Sequence, residues 1–265
     1  MLENVTVVAT DLDGTLLRSD LTISERSHGA MAAAAVRGIE VVVVTARPFR
    51  FVEEIERLHV HGLAVCANGA LVVDLETREP VAARLLDAEA AMAAVTAMRA
   101  LIPDVAFAVE GVGWCGHEEN YQAVWPPPAG SPIGPIESLA VDGVLKLLGQ
   151  HDQIHVDRLA EMAAALGPQA TVTCSTTSGL VEISAAGVTK ASALDEVMRR
   201  LGRRSEQVVA VGDMPNDLPM LRWAAVSAAV ANGHPDVLAE VDRVLPSNDD
   251  DGVACLLEEL VLARS

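Results

Sequence analysis

The 265-residue chain has room for one large domain, or one domain carrying a sizeable insertion, and at this length it buries about 75% of its unfolded surface without needing disulfides or structural metal. A hydrophobic content of 51% excludes intrinsic disorder, and with aromatics at only 3% the core has to be built from Ala, Val and Leu. Thirty-seven acidic against nineteen basic residues, a formal charge of −18, argue against a nucleic-acid or anionic-membrane surface, so any anionic ligand must be attracted locally.

Val5–Thr10 is a continuous apolar run, as expected of a strand covered on both faces. Ser24 to Arg37 reads as an Ala-rich helix between a hydroxyl cap and Gly38. Ile39–Val44 is the next buried strand, Pro48 suits the first turn of the helix after it, and Leu63–Cys66 is a third strand turned by Asn68-Gly69 into Leu71–Asp74. This alternation predicts βαβ units around a parallel sheet.

The pattern then changes. Asp87–Leu101 is an amphipathic helix, Val105–Glu110 alternates like a half-exposed strand, and Trp125–Pro135 is a Pro- and Gly-dense loop. Residues 141–148, 155–166, 170–175 and 180–184 continue as strand, helix, strand, strand. Past Gly187 the buried-strand pattern returns, with a helix over Ala191–Leu201, strands at Val208–Val211 and Ser227–Val230, and a closing helix over Asp250–Ala263. The predicted fold class is α/β: a Rossmann-like, doubly wound parallel core formed by 1–82 and 184–265, with an α/β module inserted over 83–183.

Four well-separated cysteines without a C-x-x-C pair, no basic-flanked apolar leader and no apolar run of ~18 residues predict a soluble protein of a reducing, cytoplasmic compartment.

The chemistry gathers at strand ends. Asp11-Leu12-Asp13-Gly14-Thr15 follows the first strand, and residues two apart in extended backbone aim both carboxylates at one spot. Like charges there need a cation or proton between them. A calcium loop counted from Ala9 would place Asp11, Asp13, Gly14 and Asp20 suitably, but its first position is alanine and a strand leads in. Thr45-Ala46-Arg47 offers a hydroxyl and free N–H groups where the second strand opens into a helix, which is also what a plain N-cap offers. Lys190 is one of only two lysines against seventeen arginines, and a compact ammonium neutralises phosphate as a point charge. Gly212-Asp213-Met214-Pro215-Asn216-Asp217 adds a further carboxylate at the same sheet edge. Carboxylates, a lysine and a hydroxyl there describe a Mg²⁺-assisted phosphoryl-transfer site.

In order and spacing these four segments resemble the haloacid dehalogenase superfamily. The Cof-type phosphatases match best, because the insertion falls between the second and third motifs. The resemblance implies that Asp11 is the nucleophile forming an aspartyl phosphate, and that Asp13 is the acid that protonates the leaving oxygen and then the base that activates water. It implies that Thr45 holds the transferring phosphoryl group and Lys190 offsets its charge. Mg²⁺ would sit on the Asp11 carboxylate, the Asp13 backbone carbonyl and Asp213. Asn216 would touch phosphate or a metal-bound water, and Asp217 would orient Lys190 or the metal's waters.

Ala46 stands where the family often has glycine, and it still donates a backbone N–H unless positive φ is required. Arg47 could reach substrate or brace the insertion. Cys66–Ala70 and Asn232-Gly233 also resemble family segments and read as structural. The inserted module would act as a cap whose candidate contacts are Trp114, His117, Glu118, Asn120, Tyr121 and Trp125.

The implied activity is Mg²⁺-dependent hydrolysis of small phosphorylated metabolites such as sugar phosphates, with neither nucleic acid nor membrane as partner. Oligomeric state is not readable. A phosphomutase of the same superfamily would need a second phosphate clamp in the cap, where Arg84, Arg99, Lys146 and Arg158 are spread out. A phospho-acceptor signalling module without turnover would need neither Asp13 nor a cap.

Overall fold

The computed structural model describes residues 2–140, 143–164, 167–174 and 179–264. The elements in chain order are β1 (Val7–Thr10), α1 (Glu25–Val36), β2 (Glu40–Val43), α2 (Val52–Glu56), β3 (Leu63–Cys66), β4 (Leu71–Asp74) and β5 (Glu79–Ala83). There follow α3 (Ala88–Leu101), β6 (Ala106–Gly111), β7 (Cys115–His117), α4 (Ile136–Leu139), β8 (Val144–Gln150), α5 (Val156–Ala164), β9 (Ala170–Thr173) and β10 (Leu180–Ala185). The chain closes with α6 (Lys190–Leu201), β11 (Val208–Gly212), α7 (Leu218–Trp223), β12 (Val226–Val230), α8 (Pro235–Leu238), β13 (Arg243–Leu245) and α9 (Gly252–Leu262).

The central sheet runs β13-β12-β11-β1-β2, parallel throughout, so the first strand lies between elements from opposite ends of the chain. Its side chains alternate between two apolar layers. Val8, Val43, Val209 and Val211 pack with Met31 of α1 and Leu256 of α9 on one face. Val7, Ala9, Val42 and Ala210 pack with Leu194 and Val197 of α6 and Met220 of α7 on the other. Burial on both faces explains the continuous apolar strands, and the doubly wound α/β core expected from sequence is present. A parallel bridge from Val44 to Val65 extends this sheet into the antiparallel β3-β4-β5 ribbon.

A second, antiparallel sheet runs β7-β6-β8-β10-β9 within the insertion. Its Phe107, Val109, Leu147, Val181 and Ile183 pack against α3, α4 and α5. Its opposite face meets the central domain: Lys146 Nζ donates to the Ala46 carbonyl at 2.9 Å, and Asn68 Nδ2 donates to Glu182 Oε2 at 2.6 Å. This corrects the reading of Val105–Glu110 as half-exposed, because β6 is buried along its whole length. The side carrying Glu110 faces protein instead of water.

Predicted helix boundaries hold to within two residues where their caps are side chains. Ser24 accepts from the Ser27 N–H ahead of α1, Asp87 accepts from two N–H groups ahead of α3, and Thr189 and Ser192 form a reciprocal capping box on α6. The short strands β5 and β13 were not expected. Residues 141–142, 165–166 and 175, at the edges of three predicted elements, lie outside the described residues. Cys66 and Cys115 are buried, whereas Cys174 and Cys255 are half-buried. Among the described residues no helix is long and apolar enough to cross a membrane.

Candidate active site

The candidate residues converge at the carboxyl edge of the central sheet. Asp11 directly follows β1, and its N–H donates to the Val211 carbonyl on the neighbouring strand at 2.9 Å. Thr45 lies just past β2, where its N–H donates to Val65 at 2.8 Å, and Asp213 follows β11. Lys190 opens α6, where the chain returns from the second sheet. Parallel strands bring residues far apart in sequence to one crevice at their carboxyl ends.

Lys190 is fully enclosed. Its ammonium donates to Asp11 Oδ1 at 2.7 Å and to Asp217 Oδ1 at 2.5 Å. The other Asp217 oxygen accepts the Asp213 and Met214 backbone N–H groups, each at 3.0 Å. Asp213 accepts from the Thr15 hydroxyl at 2.7 Å. Burial works against the ammonium's charge, yet Asp11 and Asp217 together hold Lys190 above its ordinary value, so it stays protonated. Burial raises Asp11 well above the usual carboxylate range; Lys190 opposes this, and Asp217 and Asp213 add to it. Asp213 is pushed up to about 6 by burial and by Asp217, against the Thr15 hydroxyl and Lys190.

Three buried carboxylates around one ammonium leave an excess of negative charge. Ligand oxygens of Asp11, Asp213 and Asp217 all lie within 4.8 Å of one another. Such an all-oxygen, charge-rich donor set suits a hard divalent cation, which would relieve the same repulsion that raises Asp11 and Asp213. The residues present therefore fit a hard divalent cation such as Mg²⁺.

Gly14 adopts φ +79°, and a Cβ there would lie 2.6 Å from Asp213 Oδ2. Gly14→Ala is expected to cost about 1–2 kcal/mol for the left-handed backbone alone. Thermal unfolding should register this as a fall of roughly 5 °C. An unchanged melting temperature would show that the turn relaxes freely.

Asp13 is turned toward Arg47 and not toward the buried cluster. Arg47 Nε and Nη2 donate to its two oxygens at 2.8 and 2.6 Å, and Nη1 donates to Glu54 Oε2 at 2.8 Å. The same guanidinium lies 5.1 Å from the Trp125 ring centroid and 5.6 Å from that of Phe51. Arg47 thus links the Asp13 loop to the inserted module. Thr45 is buried, and its hydroxyl oxygen accepts the Arg47 N–H at 3.0 Å. Ala46 is not among the residues with positive φ, so the alanine fits where glycine is frequent. Asn216 Nδ2 donates to Asn68 Oδ1 at 3.0 Å.

Several participants were missed in the sequence. Asn68, read as part of a turn, joins Asn216 on one side to Glu182 and Thr173 of the second sheet on the other. Glu110, Lys146 and Glu182 face the space between the sheets, as does Arg50. The only available signal was a charge in each of three otherwise apolar strands. A cavity of about 280 Å³ runs from Asp11 and Asp13 to these groups, and His117, Tyr121 and Trp125 also line it. Glu118 instead accepts the Phe107 and Ile136 N–H groups, Trp114 packs on the inserted core, and Asn120 is exposed.

The family model for haloacid dehalogenase-like hydrolases matches residues 8–257. The chain is 26% identical to the 5-amino-6-(5-phospho-D-ribitylamino)uracil phosphatase YcsE of Bacillus subtilis, over 98% of this chain and 97% of that one. It is 25% identical to the pyridoxal phosphate phosphatase YbhA of Escherichia coli, over 94% and 96% of the respective chains. Among solved structures, SMU.1108c from Streptococcus mutans superposes with a TM-score of 0.85 at 22% identity, covering 97% of this chain and 99% of that one. The subclass IIB sugar phosphatase BT4131 superposes at 0.81 with 20% identity, covering 96% and 98%.

Proposed function

The chain belongs to the haloacid dehalogenase-like hydrolase family, and from that premise we propose that it is a Mg²⁺-dependent phosphatase acting on small phosphomonoesters through an aspartyl phosphate on Asp11. The observation that carries this reading is the enclosed Lys190 ammonium holding Asp11 and Asp217 beside Asp213. In the same reading 83–183 caps a core formed by 1–82 and 184–265.

Lys190 orients the Asp11 carboxylate and offsets the charge of the arriving phosphoryl group. Asp11 attacks phosphorus as the ester P–O bond breaks, and Asp13 gives its proton to the leaving oxygen. Water then displaces Asp11 from phosphorus while Asp13 takes the water's proton, which releases phosphate and restores both carboxyl groups. Arg47 now occupies both Asp13 oxygens, so it has to free at least one of them as substrate enters. Asp11 and Asp213, with the Asp13 backbone carbonyl, would hold the metal ion. When bound, the ion supplies Lewis-acid stabilisation of phosphoryl charge. Thr45 and Asn216 complete the phosphate site in this reading.

Hydrolysis is supported over the mutase alternative by where the bases lie. Arg84 donates to Ser192 and Glu196 of α6, Arg99 pairs with Glu118 and Glu137, and Arg158 pairs with Glu161 on the surface. Only Lys146 of the four lines the cavity, where Glu182 and Ala46 take up its donors. Among the described residues these four do not gather into a second phosphate clamp.

Release of phosphate from p-nitrophenyl phosphate should require added Mg²⁺, vanish in excess chelator and return when Mg²⁺ is resupplied. Asp13→Ala should slow turnover by about 10²–10⁴-fold for alkyl phosphates and less for p-nitrophenyl phosphate, whose leaving group departs without a proton. A screen of phosphorylated metabolites with both proteins would rank substrates. Full activity in chelator would end the metal-dependent reading, and a stable stoichiometric phosphoprotein without turnover would favour a signalling module.

A further inference from the structure

We infer that Glu110 is a specificity-determining residue, whose carboxylate receives a hydrogen-bond donor, hydroxyl or ammonium, on the leaving group of the phosphomonoester. This rests on the phosphatase reading of the site and adds the class of leaving group.

Glu110 lies on β6 directly opposite Lys146 of β8 and lines the same cavity as Asp11. The charged groups around it are partnered except at Arg50 Nε, which is also buried without a hydrogen-bond partner among the described residues. Lys146 donates to Glu182 and to the Ala46 carbonyl, and Glu182 also accepts from Asn68. Arg50 donates to Glu110 Oε1 at 3.2 Å and to the Pro126 carbonyl at 3.1 Å. Glu110 Oε2 is buried and has no hydrogen-bond partner among the described residues. Beyond it the sheet face is apolar, with Ala108, Leu148, Leu180 and Tyr121 packed together. Burial raises Glu110, with Lys146 and Arg50 opposing.

A buried acceptor without a donor is costly to leave unmade, and a ligand that supplies the donor removes that cost. A site built this way rejects analogues that lack the donor much more strongly than a hydrophobic pocket rejects a mismatched shape. A second anionic group on the leaving portion would meet the Glu110 carboxylate and be disfavoured.

The test is kcat/KM, with Mg²⁺, for a matched six-carbon set: a polyol phosphate, an aminohexyl phosphate, hexyl phosphate and a phosphohexanoate. Wild-type protein should favour the first two over hexyl phosphate by about tenfold or more and use the carboxylate-bearing ester least. In Glu110→Ala that preference ratio should fall by about tenfold. Glu110→Gln keeps a neutral acceptor, so it should retain the polyol preference while losing the preference for the ammonium; the two arms therefore separate hydroxyl from amine recognition. Wild-type preference for the hexyl or carboxylate-bearing ester, or an equal loss on every ester in Glu110→Ala, would overturn the assignment. If no ester turns over, p-nitrophenyl phosphate included, the phosphatase reading itself falls and takes this inference with it.

Discussion

Asp11→Asn should abolish phosphate release, by about 10⁴-fold or more, while leaving the fold at least as stable as before. The amide cannot attack phosphorus, so no acyl phosphate forms. The same change removes one of three buried negative charges around Lys190, in a place where burial already disfavours the ionised form. Asp217 still accepts from the ammonium, so the lysine is not stranded. Activity and stability should therefore part company. Phosphate release would be read beside thermal unfolding without metal, with turnover lost and the melting temperature unchanged or raised. Residual turnover near wild type would remove Asp11 from the nucleophile's role. A collapse in melting temperature would mean that its charge is needed to hold the cluster together.

That cluster was legible because its members sit at strand ends. Once Val5–Thr10 and Val208–Val211 are read as buried parallel strands, Asp11 and Asp213 must emerge at one edge. The scarcity of lysine marked Lys190, and its ammonium indeed meets Asp11. Legibility faded where one polar side chain serves two sheets. Glu110 and Lys146 are single charges in otherwise apolar strands, and a lone charge gives no sign of what it faces; both are buried because that face closes on the central domain. Asn68 looked like turn chemistry, and the turn is there, with Asn68 at φ +55°. No sequence rule tells that its amide also reaches Glu182, 114 residues away. The strands β5 and β13 escaped for another reason. One is an exposed edge containing Pro80 and the other has three residues, so neither buries enough apolar surface to leave a pattern.

Lys190→Met should be the most damaging substitution in the chain, in stability as well as activity. Methionine fills a similar volume but leaves Asp11 and Asp217 in a fully enclosed site without their cation. Stranding one partner of a buried pair costs about 3–5 kcal/mol, and here two acceptors are stranded. Thermal unfolding should fall by on the order of 10 °C. Turnover should drop by about 10²–10³-fold, since the group that offsets phosphoryl charge is gone. Lys190→Met combined with Asp217→Asn separates the two effects. The second change removes one stranded charge, while the amide oxygen can still accept the Asp213 and Met214 N–H groups that Asp217 Oδ2 now receives. The double variant should recover several degrees of melting temperature and none of the activity. Parallel recovery of both would mean that Lys190 acts only as a structural counter-ion. A single variant that melts and turns over like wild type would leave Asp11 without the positioning the mechanism requires.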